Sequence, residues 1–573
     1  MNTENDIKFT DPREMIEVHL DDGRTLTGKR GTSAEDFMKM IQDDEQPPIV
    51  AVIVNGSLRE LSYAITMESK LKPVNMSSAD GARVYRRSLT FLLEFAFQQL
   101  FLDAKLTIDH SVSSGGYYCQ VEGREPLTAE ELWMLGQRMQ AEVESDRPLL
   151  REEIPLDEAI QYFTELGQED KVNLLRHRKK DYLTLYRLGE HKDYHHGYMV
   201  PSTGYLRWFD LQDSNGGFVL RFPRRHMPNT LLPMSTTSQL LETFRRYGKW
   251  LTRLGIENVG AMNNAIADGR GQEIVLVSEA LHEQYVAEIA RQIAHRRDEL
   301  RLILIAGPSS SGKTTFSRRL TVQLLALGIS PFPLELDNYF VNRAETPRDE
   351  KGEYDFETIA ALNLPRLAED LQKMTRGKKV QMPRYNFKTG VSEPGEEVQL
   401  RDGQLIILEG IHGMNPRLIP FELQSQAFRI YVSALTQLNL DRHNRVSTTD
   451  TRLLRRIVRD ARERGYTAQD TIMRWESVRR GEKRHIYPFQ ENADVMFNSA
   501  LVFELSALKR FAEPLLRQVP YGTPEHIEAK RLLAFLEWFL PIDPDIVPDN
   551  SIAREFLGNS ALKTFKWWQG KRR

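Results

Sequence analysis

At 573 residues the chain is too long for one hydrophobic core, and three or more domains are expected. Its composition, 40% hydrophobic and 27% charged, is ordinary for a water-soluble protein, and a net charge of −3 excludes a global attraction to nucleic acid, leaving only local basic patches for such a contact. The single cysteine, Cys119, excludes an intrachain disulfide and fits a reducing compartment. The start, Met1-Asn2-Thr3-Glu4-Asn5-Asp6, does not read as a signal peptide, and no uncharged apolar stretch reaches the ~18 residues of a membrane span. A cytoplasmic protein without a membrane partner is expected.

The first predicted elements lie between residues 15 and 75. Met15–Leu20 alternates as a strand, and Asp21-Asp22-Gly23-Arg24 is a hairpin turn signal. A short helix follows from Ser33 to Ile41, capped by Thr32 or Ser33 with an acid at Glu35 or Asp36. Ile49–Val54, Asn55-Gly56 and Ser57–Leu61 form a second hairpin. Strand order and Val54-Asn55-Gly56 make residues 1–75 resemble the ubiquitin-like TGS domain shared by threonyl-tRNA synthetases, some GTPases and alarmone synthetases.

Residues 76–232 carry Val84–Leu93, Phe101–Ile108, Gly116-Tyr117-Tyr118, Tyr186–Gly189 and Val200–Thr203. These pieces resemble the second additional domain of threonyl- and alanyl-tRNA synthetases, an α+β editing fold. That family implies a His-x-x-x-His pair and a later Cys-x-x-x-His pair. Here the corresponding positions are Arg87, Phe91, His195 and Met199. Arginine and phenylalanine do not ligate metals and methionine is a poor zinc ligand, so an editing fold without that metal site is expected. His191, His195 and His196 remain as a local cluster, read as a solvated polar loop with a metal or catalytic role as the alternative. Residues 233–298 read as a helical connector: Leu240, Leu241, Phe244 and Tyr247 recur at helical spacing, and Glu279–Arg297 is a charged amphipathic helix.

The most informative stretch is Gly307-Pro308-Ser309-Ser310-Ser311-Gly312-Lys313-Thr314, followed by Thr315, which fits the phosphate-loop pattern G-x-x-x-x-G-K-[ST]. Leu302–Ala306 before it reads as a buried parallel strand, and Phe316, Leu320 and Leu324 after it mark one helix face. In such a loop, inward-facing amides and the helix N-terminus form an anion site. Lys313 then adds positive charge on the outer phosphates of ATP, and the Thr314 hydroxyl is a ligand for Mg²⁺. Strands and helices alternate through 299–573, predicting a doubly wound parallel sheet. Phe332–Leu336 and Leu405–Leu408 are strands that end at Asp337 and Glu409, where ligands of such sheets sit.

Together with the loop, five further pieces occur in order: Asp337–Phe340, Tyr354–Glu357, Pro383–Phe387, Leu408–Ile411 and Thr451–Asp460. This segment resembles the uridine kinase branch of the uridine kinase and phosphoribulokinase family. The resemblance implies Asp337 as the base for a ribose 5′-hydroxyl, Glu409 as the acid associated with Mg²⁺, Asp355 as the acceptor for the 2′- and 3′-hydroxyls, and Tyr354, Tyr385 and Phe387 as walls of a base pocket. It also implies a lid carrying Arg452 and Arg455, with Arg452 reaching the substrate. Spacing of three and four puts Arg452, Arg455, Arg456 and Arg459 along one side of a helix, where a solvated face is the alternative for the remaining arginines. The family often has a histidine three residues after the phenylalanine of its Tyr-x-Phe piece, and Gly390 stands there instead, so base selectivity must come from elsewhere.

The sequence therefore reads as an α/β multidomain protein whose C-terminal part is an ATP- and Mg²⁺-dependent nucleoside kinase. Oligomerisation is left open by the sequence. The alternative is an RNA-binding or regulatory protein whose synthetase-like half grips tRNA, with Arg176-His177-Arg178-Lys179-Lys180 as the densest basic cluster.

Overall fold

The structure, a computed structural model, describes residues 10–43, 46–112, 115–234, 238–349, 352, 354–436 and 438–565. The first residues of the chain and the tail with Trp567-Trp568 lie outside that set. The chain divides into two compact units: Met1–Thr236 with Asp441–Arg445 and Pro520–Ile527, and Thr237–Leu440 with Val446–Val519 and Glu528–Arg573.

In the first unit, β1 (Met15–Leu20) pairs antiparallel with β2 (Thr25–Lys29) through the Asp-Gly turn. Its strict alternation buries Ile16, Val18 and Leu20 on one face. Helix α1 (Ala34–Lys39) starts at Ser33, whose hydroxyl accepts from the Asp36 amide, and contributes Phe37 and Met38 to the same core. β3 (Ile49–Val54), β4 (Ser57–Arg59) and β5 (Ser69–Asn75) complete a five-stranded sheet in the order β2-β1-β5-β3-β4, with β1 and β5 parallel.

A long helix, α2 (Ala79–Leu100), follows, capped by the Ser78 hydroxyl. It is buried nearly all round, because Leu89, Phe91, Leu92, Leu93, Phe95 and Phe97 face different neighbours. Around it lie β6 (Lys105–Val112), β7 (Gly116–Glu122), α3 (Ala129–Glu144), β8 (Leu150–Pro155), α4 (Leu156–Glu165), α5 (Glu169–Leu175), β9 (Tyr182–Leu188), β10 (His191–Asp193), β11 (Asp210–Ser214) and β12 (Gly217–Arg221). They form sheets of order β10-β9-β8 and β11-β12-β7-β6. Cys119 on β7 is fully buried, as a small apolar side chain would be.

The second unit opens with helices α6 (Ser238–Leu254), α7 (Val259–Ala267) and α8 (Gly271–His295). After β13 (Leu302–Ala306), α9 (Lys313–Ala326), β14 (Phe332–Glu335), α10 (Leu364–Thr375), the hairpin β15 (Val380–Asn386) and β16 (Val391–Val398), β17 (Ile406–Glu409), β18 (Ala427–Ser433), α11 (Thr448–Arg464), α12 (Ala468–His485) and β19 (Val495–Asn498), the chain ends in α13 (Glu504–Arg517), α14 (Pro524–Leu536) and short turns of helix. All five strands of the main sheet run parallel in the order β14-β17-β13-β18-β19. Leu302, Leu304, Ile406 and Leu408 join a core shared with Leu367 and Leu371 of α10, while Ile303, Ile305, Ile407 and Ile430 join another with Ile289 of α8 and Phe316 of α9. Period-two side chains buried on both faces are the signature of a doubly wound sheet. The β14/β17 register pairs Glu335 with Glu409, so the chain leaves both strands at the same edge as the loop that follows Ala306.

Candidate functional site

The phosphate loop is built by close approach. A Cβ on Gly307 would lie 1.9 Å from the Val432 carbonyl oxygen, so only glycine fits against β18. Ser310 and Gly312 both have positive φ, +58° and +84°, which turns the amides of the loop toward a common centre. The Ser310 and Ser311 hydroxyls are buried and have no hydrogen-bond partner among the described residues. Buried donors of this kind carry a desolvation cost that an anion in the loop would relieve. Helix α9 begins at Lys313, directly after the left-handed Gly312, and aims its N-terminus at the same place.

Lys313 is buried, and burial lowers its ammonium from the ordinary value against the attraction of Glu409, Glu555 and Asp337. Lys313 Nζ donates to the Pro308 carbonyl, 3.2 Å away. Thr314 Oγ1 donates to Glu409 at 3.1 and 3.3 Å from its two carboxylate oxygens. Burial pushes the Glu409 carboxyl up to about 7, with Lys313 opposing and Asp337 reinforcing the shift. Burial also raises Asp337, again opposed by Lys313. The Asp337 surface is open to solvent while protein crowds it on its other sides. Three carboxylates around one lysine leave an excess of negative charge, and Thr314 with Glu409 offers the hard oxygen donors that suit Mg²⁺.

The arginines of α11 occupy positions that their spacing did not foretell. Arg452 and Arg455 are buried, at 1% and 0% exposure, rather than presented on the open side of a lid. Arg452 pairs with Glu482 of α12 and donates to the Ser309 carbonyl; Arg455 pairs with Glu504 and donates to the Ser310 carbonyl. Both therefore brace the backbone of the loop from behind. Arg456 donates to Ser309 Oγ at 2.9 Å, and Arg459 pairs with Asp460. Glu482 also accepts from the Ser309 amide at 3.2 Å, and Glu555 accepts from the Thr315 hydroxyl at 2.8 Å. Sequence reasoning passed over Glu482, Glu504 and Glu555. The one available signal was an arginine run whose local acids are too few to balance it.

On the acceptor side, Tyr385 and Phe387 lie 5.1 Å apart by ring centroids, with Phe340 5.5 Å from Tyr385 and Tyr354 6.2 Å from Phe356. Tyr385 is buried with its hydroxyl lacking a partner, whereas Phe387 is 60% exposed. Asp355 accepts from the Glu357 amide and faces His485 Nε2 at 3.9 Å. Glu357, another residue not assigned from sequence, has its carboxyl pushed up to about 7 by burial, against Arg456 and Lys313. Gly390 has φ +73°, and a Cβ there would lie 2.8 Å from the Arg343 side chain, so this turn favours glycine. A cavity of about 30 Å³ lined by Tyr247, Leu251, Thr451 and Phe539, among others, touches none of the loop residues and is too small for a nucleoside.

In the first unit, Arg87 donates to the Tyr198 carbonyl, and Phe91 and Met199 are buried in the core, so those three positions hold no metal ligands. The histidine cluster is not a solvated loop. His195 is 4% exposed and His191 packs against Phe91, because β10 pairs with β9 and brings the segment inward.

Residues 302–505 match the Phosphoribulokinase / Uridine kinase family. The N-terminal half is similar to threonine–tRNA ligases: 32% identity over 205 residues with that of Acidovorax sp. (strain JS42), covering 36% of this chain and 32% of that one, and 36% identity with that of Acidithiobacillus ferrooxidans, with the same coverage. The chain spans about a third of the length of these curated relatives. Among solved structures, a putative fructose transport system kinase from Silicibacter sp. TM1040 aligns with 16% identity and a TM-score of 0.28, over 37% of this chain and 98% of that one. A possible uridine kinase from Bacillus stearothermophilus aligns with 18% identity and a TM-score of 0.24, over 35% and 89%. The C-terminal part thus combines a parallel α/β sheet with a match to that kinase family model, and it is joined to a region similar to part of threonine–tRNA ligases. Among the described residues, no helix is long and apolar enough to cross a membrane.

Proposed function

We propose that the protein transfers the γ-phosphoryl group of ATP to the 5′-hydroxyl of a nucleoside, with uridine or cytidine as the first candidates. The observation that carries this reading is the convergence of Lys313, Asp337 and Glu409 at the carboxyl edge of one parallel sheet, beside a loop with buried, partnerless hydroxyls. Gly307, Ser309, Ser310, Ser311, Gly312, Lys313, Thr314 and Thr315 would hold the triphosphate. Thr314 and Glu409 would hold Mg²⁺, which supplies charge neutralisation when bound. Asp337 accepts the proton of the attacking hydroxyl, and Lys313 steadies the charge on the transferred group. Arg452 and Arg455 fix the loop that orients the donor. Asp355 receives the ribose hydroxyls, and Tyr354, Tyr385 and Phe387 flank the base. In this reading residues 1–75, 76–232, 233–298 and 299–573 are a TGS-like module, an editing-like module, a helical connector and the kinase domain of a cytoplasmic enzyme.

The test is a coupled ATP-consumption screen of the full chain over nucleosides, pantothenate and pentose phosphates. Nucleoside-dependent turnover that disappears in Asp337→Asn is expected. Turnover on another alcohol with the same dependence would keep the mechanism and replace the acceptor; ATP use indifferent to every alcohol would overturn both. The similarity of the N-terminal half to tRNA ligases favours a second reading, in which that half contacts tRNA. Salt-sensitive tRNA binding without phosphorylation of any nucleoside would favour it.

A further inference from the structure

The first unit contains a second concentration of buried charge, remote in sequence from the phosphate loop. It is assembled from Glu94 on α2, Lys171 on α5, Asp193 and His195 at and after β10, and Asp441 and His443 of the segment Asp441–Arg445, all within the first unit. Glu94, Lys171, Asp193, His195 and Asp441 are each no more than 4% exposed.

The pairings leave a definite deficit. Lys171 Nζ lies 2.9 Å from Asp193 Oδ1 and 3.3 Å from Asp441 Oδ1. Asp441 is further satisfied by the amides of His443 and Asn444 and by the Asn444 side chain. Asp170 and Arg442 form their own bidentate pair and neutralise each other. What remains is Asp193 Oδ2, facing His443 Nδ1 at 2.8 Å, and Glu94, whose Oε2 lies 3.1 Å from His195 Nε2 and 3.5 Å from His443 Nδ1 and whose Oε1 has no hydrogen-bond partner among the described residues. Three carboxylates, Glu94, Asp193 and Asp441, thus surround one ammonium, and Glu94 Oε1 is a buried acceptor left without a donor, a costly arrangement that a cation would relieve.

We propose that Glu94, Asp193 and His195 bind one divalent first-row transition-metal ion, with zinc as the expected occupant. One ligand atom from each of the three lies within 4.8 Å of the other two. One imidazole nitrogen and two carboxylate oxygens form a donor set that suits Zn²⁺ or Mn²⁺ better than Mg²⁺, with a remaining position for water. Lys171 engages Asp193 Oδ1, so Oδ2, which also faces His443 Nδ1, is the oxygen offered to the ion. His443 hydrogen-bonds Asp193 and orients it, as an outer partner of a ligand does.

The experiment uses the full chain, stripped with a chelator, dialysed, and titrated with Zn²⁺ against a chromophoric competitor, with bound metal counted by mass spectrometry. One equivalent of zinc is expected, and Glu94→Gln and His195→Ala should each lower the affinity at least tenfold. Glu409→Gln, which alters the oxygen-only site of the phosphate loop, should leave the stoichiometry at one. If a variant fails to fold, X-ray absorption of the zinc-loaded wild-type protein decides: a light-atom shell with imidazole scattering supports the site. No zinc retained at micromolar concentration, an absorption spectrum without imidazole, or folded variants that bind as the wild type does would overturn it.

Discussion

Two buried lysines set the two units apart. Lys171 makes direct ion pairs with Asp193 and Asp441, and although burial alone would depress it, these carboxylates hold its ammonium above the ordinary value. Lys313 has no carboxylate within ion-pair distance among the described residues, and burial wins, lowering it. The same residue type, equally enclosed, is saturated in one place and unsaturated in the other. A saturated lysine holds structure together. An unsaturated one, beside partnerless hydroxyls and raised carboxyls, is poised for a ligand that brings its own charge.

The comparison can be broken by removing each group in turn. The largest effect is expected at Asp337: Asp337→Asn should cut nucleoside phosphorylation by ~10²–10⁴-fold, the usual range for a general base, while circular dichroism stays unchanged. Full-rate turnover in that variant would remove the base assignment. Lys313→Ala should cost ~10²–10³-fold in kcat without lowering the denaturant midpoint, because the lysine does little for the folded state. Lys171→Met should do the reverse, costing ~3–5 kcal/mol in unfolding free energy because it strands buried carboxylates, with kcat preserved wherever the chain is folded. Equal effects of the two lysine variants on stability would erase the distinction.

The carboxyls give a pH signature. Asp337 must be ionised to accept a proton, and burial raises it, so kcat/KM should fall with acidification at a pH above the ordinary aspartate range. Glu409, pushed up to about 7, must lose its proton to hold a cation. The Mg²⁺ requirement should therefore rise by about tenfold per pH unit below that value. The smallest effect is expected from Glu482→Gln, which weakens the brace of Arg452 on the loop: KM for ATP should rise by roughly tenfold at most, the scale of one charge-assisted hydrogen bond.

The frame around the phosphate loop was legible in the sequence because its signals are local. Glycines where backbones touch, an apolar strand before them and a helix face after them need no knowledge of distant residues, and β13, the loop and α9 appear where the pattern places them. The hairpins β1–β2 and β3–β4 follow for the same reason, through Asp-Gly and Asn-Gly turns. The partners of the arginines were not legible. Arg452 meets Glu482 across 30 residues and Arg455 meets Glu504 across 49, and nothing in a helical period says which acid will pack against it. His195 was placed in solvent because its neighbours in sequence are polar, whereas the residues that bury it come from α2 and from a segment some 250 positions away.

That distant segment has a practical corollary. Asp441–Arg445 and Pro520–Ile527 belong to the first unit although the chain has long since entered the second. A gene truncated near residue 236 would express an N-terminal fragment lacking the aspartate that anchors Lys171 and the histidine that steadies Asp193, while the complementary fragment would carry two orphaned insertions. Neither fragment would report faithfully on its parent. Division of labour in this protein is therefore better dissected by point substitution than by scissors.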